Sequence, residues 1–202
     1  MLNIYLVRHG QTEWNIERRF QGWLDSPLTK QGVECAQLLK EKIAPIKFDR
    51  FITSPSNRAV KTMELILPAE DKCFDLDDRL REINLGPWQG MTHEAIEALY
   101  PEQLKMFYMN PEAFNLQHAE TYFDVYDRIR KFIDELVSRH ETGIKSSNIL
   151  IVTHGIALMI FQLIFDGLSL SELPRYSVSN NATLHHYCYN EGMFSRQIEG
   201  AY

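Results

Sequence analysis

The sequence has few cysteines, no excess of basic residues and no long uninterrupted apolar run. The three cysteines, Cys35, Cys73 and Cys188, are odd in number and lack metal-ligand spacing, so we expect reduced thiols. The 27 acidic residues outnumber the 21 Lys and Arg residues, which gives a formal net charge of -6. Because binding to a nucleic-acid backbone depends on clustered cations, this charge balance argues against a nucleic-acid partner.

Apolar runs are short throughout the chain. None approaches the roughly 20 apolar residues that a membrane-spanning helix needs, and the longest, over residues 156–165, is interrupted by Gln162. The N-terminal run over residues 1–7 is too short for a signal peptide and has no basic start. We therefore expect no membrane contact and a cytoplasmic location. The length of 202 residues, without repeats or linkers, suits a single domain over 1–202.

Three short apolar runs predict the strands. Residues 4–7 and 149–152 are continuously apolar, and residues 51–53 form a weaker third run. Continuous rather than alternating apolarity is typical of strands that are covered on both faces, as in a parallel sheet with helices. The strands alternate with helical patterns, so the sequence predicts an α/β fold with a mostly parallel central sheet.

Local signals place several helices between these strands. Thr29 and Ser56 each have the character of a residue that caps a helix start. Residues 122–136 repeat apolar side chains at i, i+3, i+4 and i+7, which predicts a long amphipathic helix. Residues 156–165 are apolar on all sides and predict a buried helix.

Two regions depart from the strand–helix alternation. Residues 183–189 and 193–198 predict a C-terminal β-hairpin around a turn at 190–192. Residues 86–118 contain three prolines and only short helical patterns. We interpret this second region as a small helical cap inserted over one edge of the sheet.

Charged and polar residues follow the three predicted strands directly. Arg8 and His9 follow the first strand, Arg58 comes shortly after the second, and His154 follows the third. Ligands of open α/β sheets bind outside the carboxyl ends of the strands, so we expect these four side chains to converge. Two guanidinium groups and two imidazoles suit a dianionic phosphoryl group, because arginine binds its oxygens in a planar, bidentate manner.

His9 is the candidate nucleophile of this group. A neutral imidazole beside cations is competent for that role, because the cations lower its pKa and free a nitrogen lone pair. A single histidine is as often structural as catalytic, but a second His-Gly pair at another strand end favours a catalytic site. Gly10 and Gly155 also allow the backbone to leave each strand sharply and to approach a ligand closely.

Several motifs, in their order and spacing, resemble the histidine phosphatase superfamily, which includes the phosphoglycerate mutases. The motifs are residues 8–15 (RHGQTEWN), 21–29 (QGWLDSPLT), 54–62 (SPSNRAVKT), 79–90 (RLREINLGPWQG) and 152–155 (VTHG). The resemblance covers nearly the whole chain. It implies a phosphoglycerate mutase-like three-layer sandwich, with helices on both sides of the sheet. It also implies a metal-independent phosphoric monoester hydrolase that uses no cofactor.

The resemblance assigns roles to individual residues of this chain. It implies that His9 accepts the phosphoryl group, while Glu82 protonates the leaving alkoxide and then activates water. Arg8, Arg58 and His154 are implied to bind the transferring oxygens. The implied substrate-binding residues are Asn15, Gln21 and Gly22. We add Gly155, because a glycine there lets the backbone approach a ligand closely.

Two features around these motifs are open to another interpretation. Without its motif, Glu82 would be interpreted as a surface partner of Arg79 or Arg81. Residues 119–121 read Ala-Glu-Thr where many relatives carry a Gly-Glu-Ser segment, so we assign no site role there.

The choice between hydrolase and mutase depends on residues 83–118. A mutase must bind a second anionic group and exclude water, but this segment contains Lys105 as its one Lys or Arg. It contains instead many large apolar residues, more than half of which we expect to pack inward. We therefore predict the broad-specificity phosphatase branch, acting on small phosphate monoesters through a largely apolar pocket wall.

Three alternatives remain open. The first is a cofactor-dependent phosphoglycerate mutase, which has the same core. The second is a metallohydrolase, although no histidine pair has the His-Glu-x-x-His spacing of a short metal motif. The third is a non-catalytic phosphate-binding protein, because a fold does not determine a function. The sequence leaves open a homodimer.

Overall fold

A six-stranded sheet forms the centre of the computed structural model, which describes residues 1–67, 73–143 and 148–197. Its strands are β1 (Leu2–Arg8), β2 (Arg50–Thr53), β3 (Asp75–Leu76), β4 (Asn148–Thr153), β5 (Leu184–Asn190) and β6 (Met193–Gln197). They lie in the order β3-β2-β4-β1-β5-β6. The pairs β3–β2, β2–β4 and β4–β1 are parallel, whereas β1–β5 and β5–β6 are antiparallel. The prediction of a mostly parallel sheet is therefore confirmed.

Helices cover both faces of this sheet. They are α1 (Glu13–Ile16), α2 (Lys30–Ile43), α3 (Asn57–Ile66), α4 (His93–Leu99), α5 (Pro101–Met109), α6 (Tyr122–Glu141) and α7 (Gly155–Phe165). The structure also has short 3-10 turns at Asp78–Leu80, Gly86–Trp88, Pro111–Ala113 and Leu170–Arg175. Helices α2 and α3 pack on one face of the sheet, and α6 and α7 pack on the other. This is the three-layer arrangement that the family resemblance implied.

Strand β1 shows why its sequence is continuously apolar. Ile4 and Leu6 point into the core beneath α6 and α7, whereas Tyr5 and Val7 point into the core beneath α2 and α3. All four side chains are buried. Successive side chains of a strand point to opposite faces. Because both faces of β1 are covered by helices, the side chains on both faces are apolar.

The predicted helix starts at Thr29 and near residue 122 are present. The Thr29 hydroxyl accepts a hydrogen bond of 2.9 Å from the Gly32 backbone N–H, at the start of α2. Helix α6 begins with a capping box in which Thr121 and Asp124 each accept a backbone N–H of the other. These side chains satisfy N–H groups that have no partner within the helix.

Residues 86–118 contain α4, α5 and two of the short turns, and they enclose an aromatic cluster. Trp88, Phe107 and Phe114 are buried, with ring centroids 5.2–5.7 Å apart. Tyr100 and Met106 are partly buried against the same core, whereas Leu99, Tyr108 and Met109 are exposed. Five of these eight large apolar residues thus pack inward, as expected. The division of the chain into one domain with a cap over about 86–118 stays a prediction.

The C-terminal hairpin has the expected turn. Glu191 and Gly192 have φ angles of 49° and 85°, as a two-residue turn between twisted strands requires. Ile198, which the sequence predicts in the second strand, lies outside the described residues. Within the described ranges, none of the helices combines the length and apolarity that a membrane crossing requires.

Candidate active site

A cavity of about 580 Å³ lies where the carboxyl end of β1 meets the first turns of α3 and α7. Eight of the nine predicted site residues line it: Arg8, His9, Asn15, Gln21, Gly22, Arg58, Glu82 and Gly155. The ninth, His154, is fully buried, and its ring centroid is 5.2 Å from that of His9. The structure thus brings together the residues that the sequence placed at separate strand ends.

The orientation of the His9 ring follows from its two hydrogen bonds. Nδ1 lies 2.8 Å from the carbonyl oxygen of Gly10, and a carbonyl only accepts, so Nδ1 carries the proton. The lone pair is therefore on Nε2, which accepts a hydrogen bond of 3.3 Å from Nε of Arg58. Burial lowers the pKa of His9 well below its ordinary value, and the charges of Arg58 and Arg8 lower it further. His9 is thus a neutral imidazole with its lone pair on Nε2.

Arg58 is a buried cation that is bound on several sides. Its Nη1 donates to the carbonyl oxygen of Leu24 and to the Asp25 carboxylate, both at 2.7 Å. Its Nη2 donates to the carbonyl oxygen of Gly22 at 2.8 Å. Burial lowers the pKa of Arg58, and the neighbouring Asp25 carboxylate counteracts this shift. The guanidinium is held in one orientation before any substrate arrives.

Asp25 is a site residue that the sequence reasoning missed. Besides binding the Arg58 side chain, its carboxylate accepts the backbone N–H groups of Asn57 at 2.8 Å and Arg58 at 3.3 Å. Ser56 is the N-cap residue of α3, as predicted, but its side chain makes no capping hydrogen bond, and the Asp25 carboxylate accepts these N–H groups instead. Asp25 lay inside a quoted motif, but its contact with α3 joins residues more than 30 positions apart.

Arg8 and His154 each have a buried polar atom without a hydrogen-bond partner among the described residues. Nη1 of Arg8 donates to the carbonyl oxygen of Ser179 at 2.8 Å, while its Nε has no such partner. Nε2 of His154 lies 2.7 Å from the hydroxyl of Ser54, while its Nδ1 has none. Burial lowers the pKa of His154 well below its ordinary value. Unsatisfied buried polar atoms are costly, so both are candidate contacts for a bound anion.

Glu82 lies at the N-terminus of α7. Its carboxylate accepts the backbone N–H groups of Ile156 at 3.2 Å and Ala157 at 3.3 Å, as well as its neighbour Ile83 at 3.0 Å. A Cβ atom at position 155 would lie 3.5 Å from the Glu82 carboxylate. The same Cβ atom would lie 2.9 Å from Cγ1 of Val178, so glycine at position 155 avoids an overlap with that side chain.

Glu82 is not the ion-pair partner of either nearby arginine in the structure. Arg79 pairs with Asp77 and Glu135, and Arg81 pairs with Asp78. The carboxylate of Glu82 faces the cavity instead.

Asn15, Gln21 and Gly22 line the cavity from the loop side. Oδ1 of Asn15 accepts the Thr12 backbone N–H at 3.0 Å, so its amide NH₂ is the group that can donate into the cavity. Nε2 of Gln21 donates to the Thr12 hydroxyl at 2.8 Å. Gly22 has a φ of +52°, which favours glycine, and its carbonyl orients Arg58.

Two further arginines, Arg18 and Arg19, line the cavity. Both lie outside residues 83–118, the segment on which the choice between hydrolase and mutase was based. Arg18 forms an ion pair of 3.2 Å with Glu94, and Nη1 of Arg19 donates to the carbonyl oxygen of Gly90 at 2.9 Å. Lys105, the cation within that segment, does not line this cavity. Arg18 and Arg19 lie between two of the quoted motifs, so their position was available from the sequence, but their contact with the cap was not.

Most of the cavity wall is apolar. Its apolar part comes from several segments, namely the cap, the residues just before it, α1 and the loop after it, α6, α7 and the chain after α7: Trp14, Phe20, Ile83, Leu85, Phe107, Tyr108, Met109, Pro111, Tyr122, Ile156, Met159, Leu173, Pro174, Tyr176 and Val178. This agrees with the predicted apolar wall. Within the described part of the chain, no group of three or more His, Cys, Asp or Glu side chains is arranged to hold a metal ion.

A neutral imidazole, one buried and one half-buried arginine, and a carboxylate at the strand ends of an α/β sandwich define a class of phosphoryl-transfer protein. The sequence profile of the histidine phosphatase superfamily (branch 1) matches residues 4–197. The chain belongs to this superfamily, and the predicted family is confirmed.

Individual relatives agree with this assignment. Phosphoserine phosphatase 1 of Hydrogenobacter thermophilus is 29% identical over 180 residues, which cover 89% of this chain and 83% of the relative. Probable phosphoglycerate mutase GpmB of Erwinia tasmaniensis is 32% identical, covering 89% and 82%. The structure of Bacillus stearothermophilus YhfR has a TM-score of 0.89 and 33% identity, covering 99% of this chain and 97% of that one. The predicted fold and the prediction of a histidine phosphatase are confirmed at the level of the family.

Proposed function

We propose that this protein hydrolyses small phosphate monoesters, with His9 as the nucleophile and Glu82 as the acid and base. The observation that carries the proposal is the orientation of His9. Its Nδ1–H is bound to the Gly10 carbonyl, which leaves the Nε2 lone pair beside the guanidinium of Arg58. A bound phosphoryl group held by that guanidinium would lie next to the attacking nitrogen.

In the first step, the Nε2 lone pair of His9 attacks phosphorus while the bond from phosphorus to the ester oxygen breaks. The leaving alkoxide takes a proton from the Glu82 carboxyl group. Arg8, Arg58 and His154 offset the charge on the transferring oxygens, and this matters because the transition state is loose. Uncatalysed hydrolysis is so slow that enzymes accelerate it up to ~10²¹-fold, so the roughly 10²–10⁴-fold of a general acid is one contribution among several.

In the second step, water attacks the phosphohistidine and gives its proton to the Glu82 carboxylate. The bond between phosphorus and Nε2 breaks, inorganic phosphate forms, and His9 returns to its neutral state. Glu82 is thereby protonated again for the next substrate. The same carboxyl group serves both steps, so its position in the cavity affects each of them.

A phosphoglycerate mutase is the second candidate, and a specific observation favours it. Arg18 and Arg19 line the cavity and are suited to a second anionic group on a substrate. Hydrolysis is our first choice because both arginines already pair with glutamates, Glu94 and Glu17, and the rest of the wall is largely apolar.

A phosphate-release assay over a panel of monoesters, without added metal, tests this proposal. We expect release from at least one ester, loss of activity by more than ~10³-fold in His9→Ala, and no loss in excess chelator. His140→Ala, in the last turn of α6, is the matched control. Mutase turnover on 3-phosphoglycerate with negligible phosphate release would favour the mutase. A protein that binds phosphate but releases none from any ester would be non-catalytic.

We also propose that the protein has no nucleic-acid partner and is located in the cytoplasm. The net charge of -6 supports the absence of a nucleic-acid partner, and the scattered cysteines support a reducing, cytoplasmic location. Sedimentation at several concentrations tests whether the protein forms a homodimer.

A further inference from the structure

The segment that carries Glu82 is held in place by side chains from other parts of the chain. Its four successive backbone carbonyls all accept such hydrogen bonds: Arg79 and Arg81 from Arg128, Leu80 from Thr153, and Glu82 from Arg128 and Trp23. Among the described residues, this segment has only a short 3-10 turn of its own over Asp78–Leu80. Its conformation therefore depends on those distant donors.

Arg128, on α6, supplies most of these donors. Nη1 donates to the carbonyl oxygens of Arg79 at 2.6 Å and Arg81 at 2.7 Å. Nη2 donates to the carbonyl oxygen of Glu82 at 3.1 Å and to the Glu120 carboxylate at 3.2 Å, and Nε donates to the same carboxylate at 3.0 Å. A guanidinium has five N–H groups, and all five are engaged here.

Glu120 completes the arrangement. Its carboxylate binds Arg128 with both oxygens, and it also accepts the backbone N–H of Asn84 at 2.8 Å. Its own backbone N–H donates to the Asn84 carbonyl oxygen at 2.8 Å. The side chains of Arg128 and Glu120 are only 15% and 19% exposed, so solvent screens the pair weakly. Arg128 and Glu120 thus bind the backbone of residues 79–84 on both sides of Glu82.

We propose that Arg128, oriented by Glu120, is a positioning residue that holds the Glu82 carboxyl group where it can transfer a proton to the leaving oxygen. This inference rests on the proposed function, in which Glu82 is the general acid. Proton transfer requires the donor and acceptor to approach within hydrogen-bond reach. A misplacement of about 1 Å at a reacting group can cost roughly 10²-fold in rate. Arg128 lines no part of the cavity, so its hydrogen bonds reach the reacting groups through the segment that carries Glu82.

Two substrates of similar size separate this role from a loss of folded protein. Benzyl phosphate has an alkoxide leaving group that needs a proton, whereas the p-nitrophenolate of p-nitrophenyl phosphate leaves without one. The readout is the ratio of kcat/KM for the two esters, since kcat/KM reports only the steps up to the first phosphoryl transfer. A variant that merely unfolds in part lowers both values equally and leaves the ratio unchanged.

We expect Glu82→Gln to lower the benzyl-to-nitrophenyl ratio by roughly 10²-fold or more. We expect Arg128→Met and Glu120→Gln to lower it in the same direction by about 10-fold. Arg128→Lys should recover little, because an ammonium has three donors and no planar fork. Arg130→Met is the matched control on the same helix, where Arg130 forms an exposed pair with Asp134, and it should leave the ratio unchanged.

The outcomes distinguish the positioning role of Arg128 and Glu120 from the acid role of Glu82. An unchanged ratio in Arg128→Met and Glu120→Gln, with a lowered ratio in Glu82→Gln, would overturn the positioning role and leave the proposed function intact. An unchanged ratio in Glu82→Gln would overturn the acid role of Glu82 itself, and the positioning role with it. A lowered ratio in all three variants, but not in Arg130→Met, supports both.

Discussion

At the scale of single residues, Asp25 is the neighbour that most strongly favours the charged form of Arg58. The Arg58 side chain is almost fully buried, and burying an unpaired charge is expensive. Asp25 provides the opposite charge, and it also caps α3, from which Arg58 projects. One carboxylate therefore stabilises both the guanidinium and the helix that carries it.

We expect Asp25→Asn to lower kcat/KM for phosphate release at least about tenfold and to lower the free energy of unfolding by roughly 1–3 kcal/mol. The amide keeps an acceptor oxygen but loses the charge that offsets Arg58. Steady-state kinetics and urea unfolding measure the two effects. Asp78→Asn is the control, since Asp78 pairs with Arg81 at an exposed position. Equal behaviour of the two variants would argue against this role of Asp25.

At the scale of elements, the first turn of α2 packs directly against the loop that follows β1. Gly32 lies so close to the backbone of Gln11 that a Cβ atom at position 32 would overlap it. The Thr29 backbone N–H also donates to the Gln11 carbonyl oxygen at 2.9 Å. Gln11 is two residues from His9, so we expect this contact between a helix and a loop to constrain the position of the nucleophile.

The variant Gly32→Ala separates helix propensity from packing. Propensity alone would favour alanine in a helix by up to about 1 kcal/mol, but the overlap with Gln11 should cost about 1–3 kcal/mol. We therefore expect a lower Tm and a lower kcat/KM. Gln31→Ala, at the exposed neighbouring position, should raise Tm slightly or leave it unchanged. A higher Tm in Gly32→Ala would show that the loop yields and that the contact does not constrain the nucleophile.

At the scale of the whole molecule, the active-site histidines couple folding to pH. His9 and His154 are buried, and in both the pKa is lowered well below the ordinary value of about 6.5, first by burial and then by neighbouring cations. Below pH 6.5 the unfolded chain binds protons at these two positions, while the folded protein does not. Their contribution to stability is therefore fully present above that pH and is lost as the pH falls towards the folded-state pKa values.

We expect the free energy of unfolding to fall as the pH decreases from about 6.5 to about 5, by up to about 1.4 kcal/mol per pH unit for each histidine. Urea unfolding at a series of pH values measures this slope. His154→Asn removes one titrating group, so its slope should be shallower whatever its absolute stability. An identical slope in the variant would mean that His154 does not stay neutral in the folded protein.

Much of the fold and several site positions could be predicted because they depend on local patterns. The apolar residues on both faces of β1 and the hydrogen bond of Thr29 at the start of α2 each involve residues that are close together in the sequence. The short edge strand β3, only Asp75–Leu76, has no such pattern and was not predicted. The contact of Asp25 with α3 and that of Arg19 with the cap join distant segments, so local reasoning could not find them.

The sequence by itself determined three central strands, the C-terminal hairpin, the long helix α6, the family, and which residues stand at the strand ends. Only the tertiary structure decided which nitrogen of His9 carries the proton, because that depends on its contacts with Gly10 and Arg58. It also decided how Glu82 is held, because its segment receives hydrogen bonds from Arg128, some 46 residues away. A hydrogen bond depends on the distance between two groups in the folded protein. A local sequence pattern does not give that distance for residues that are far apart in the chain.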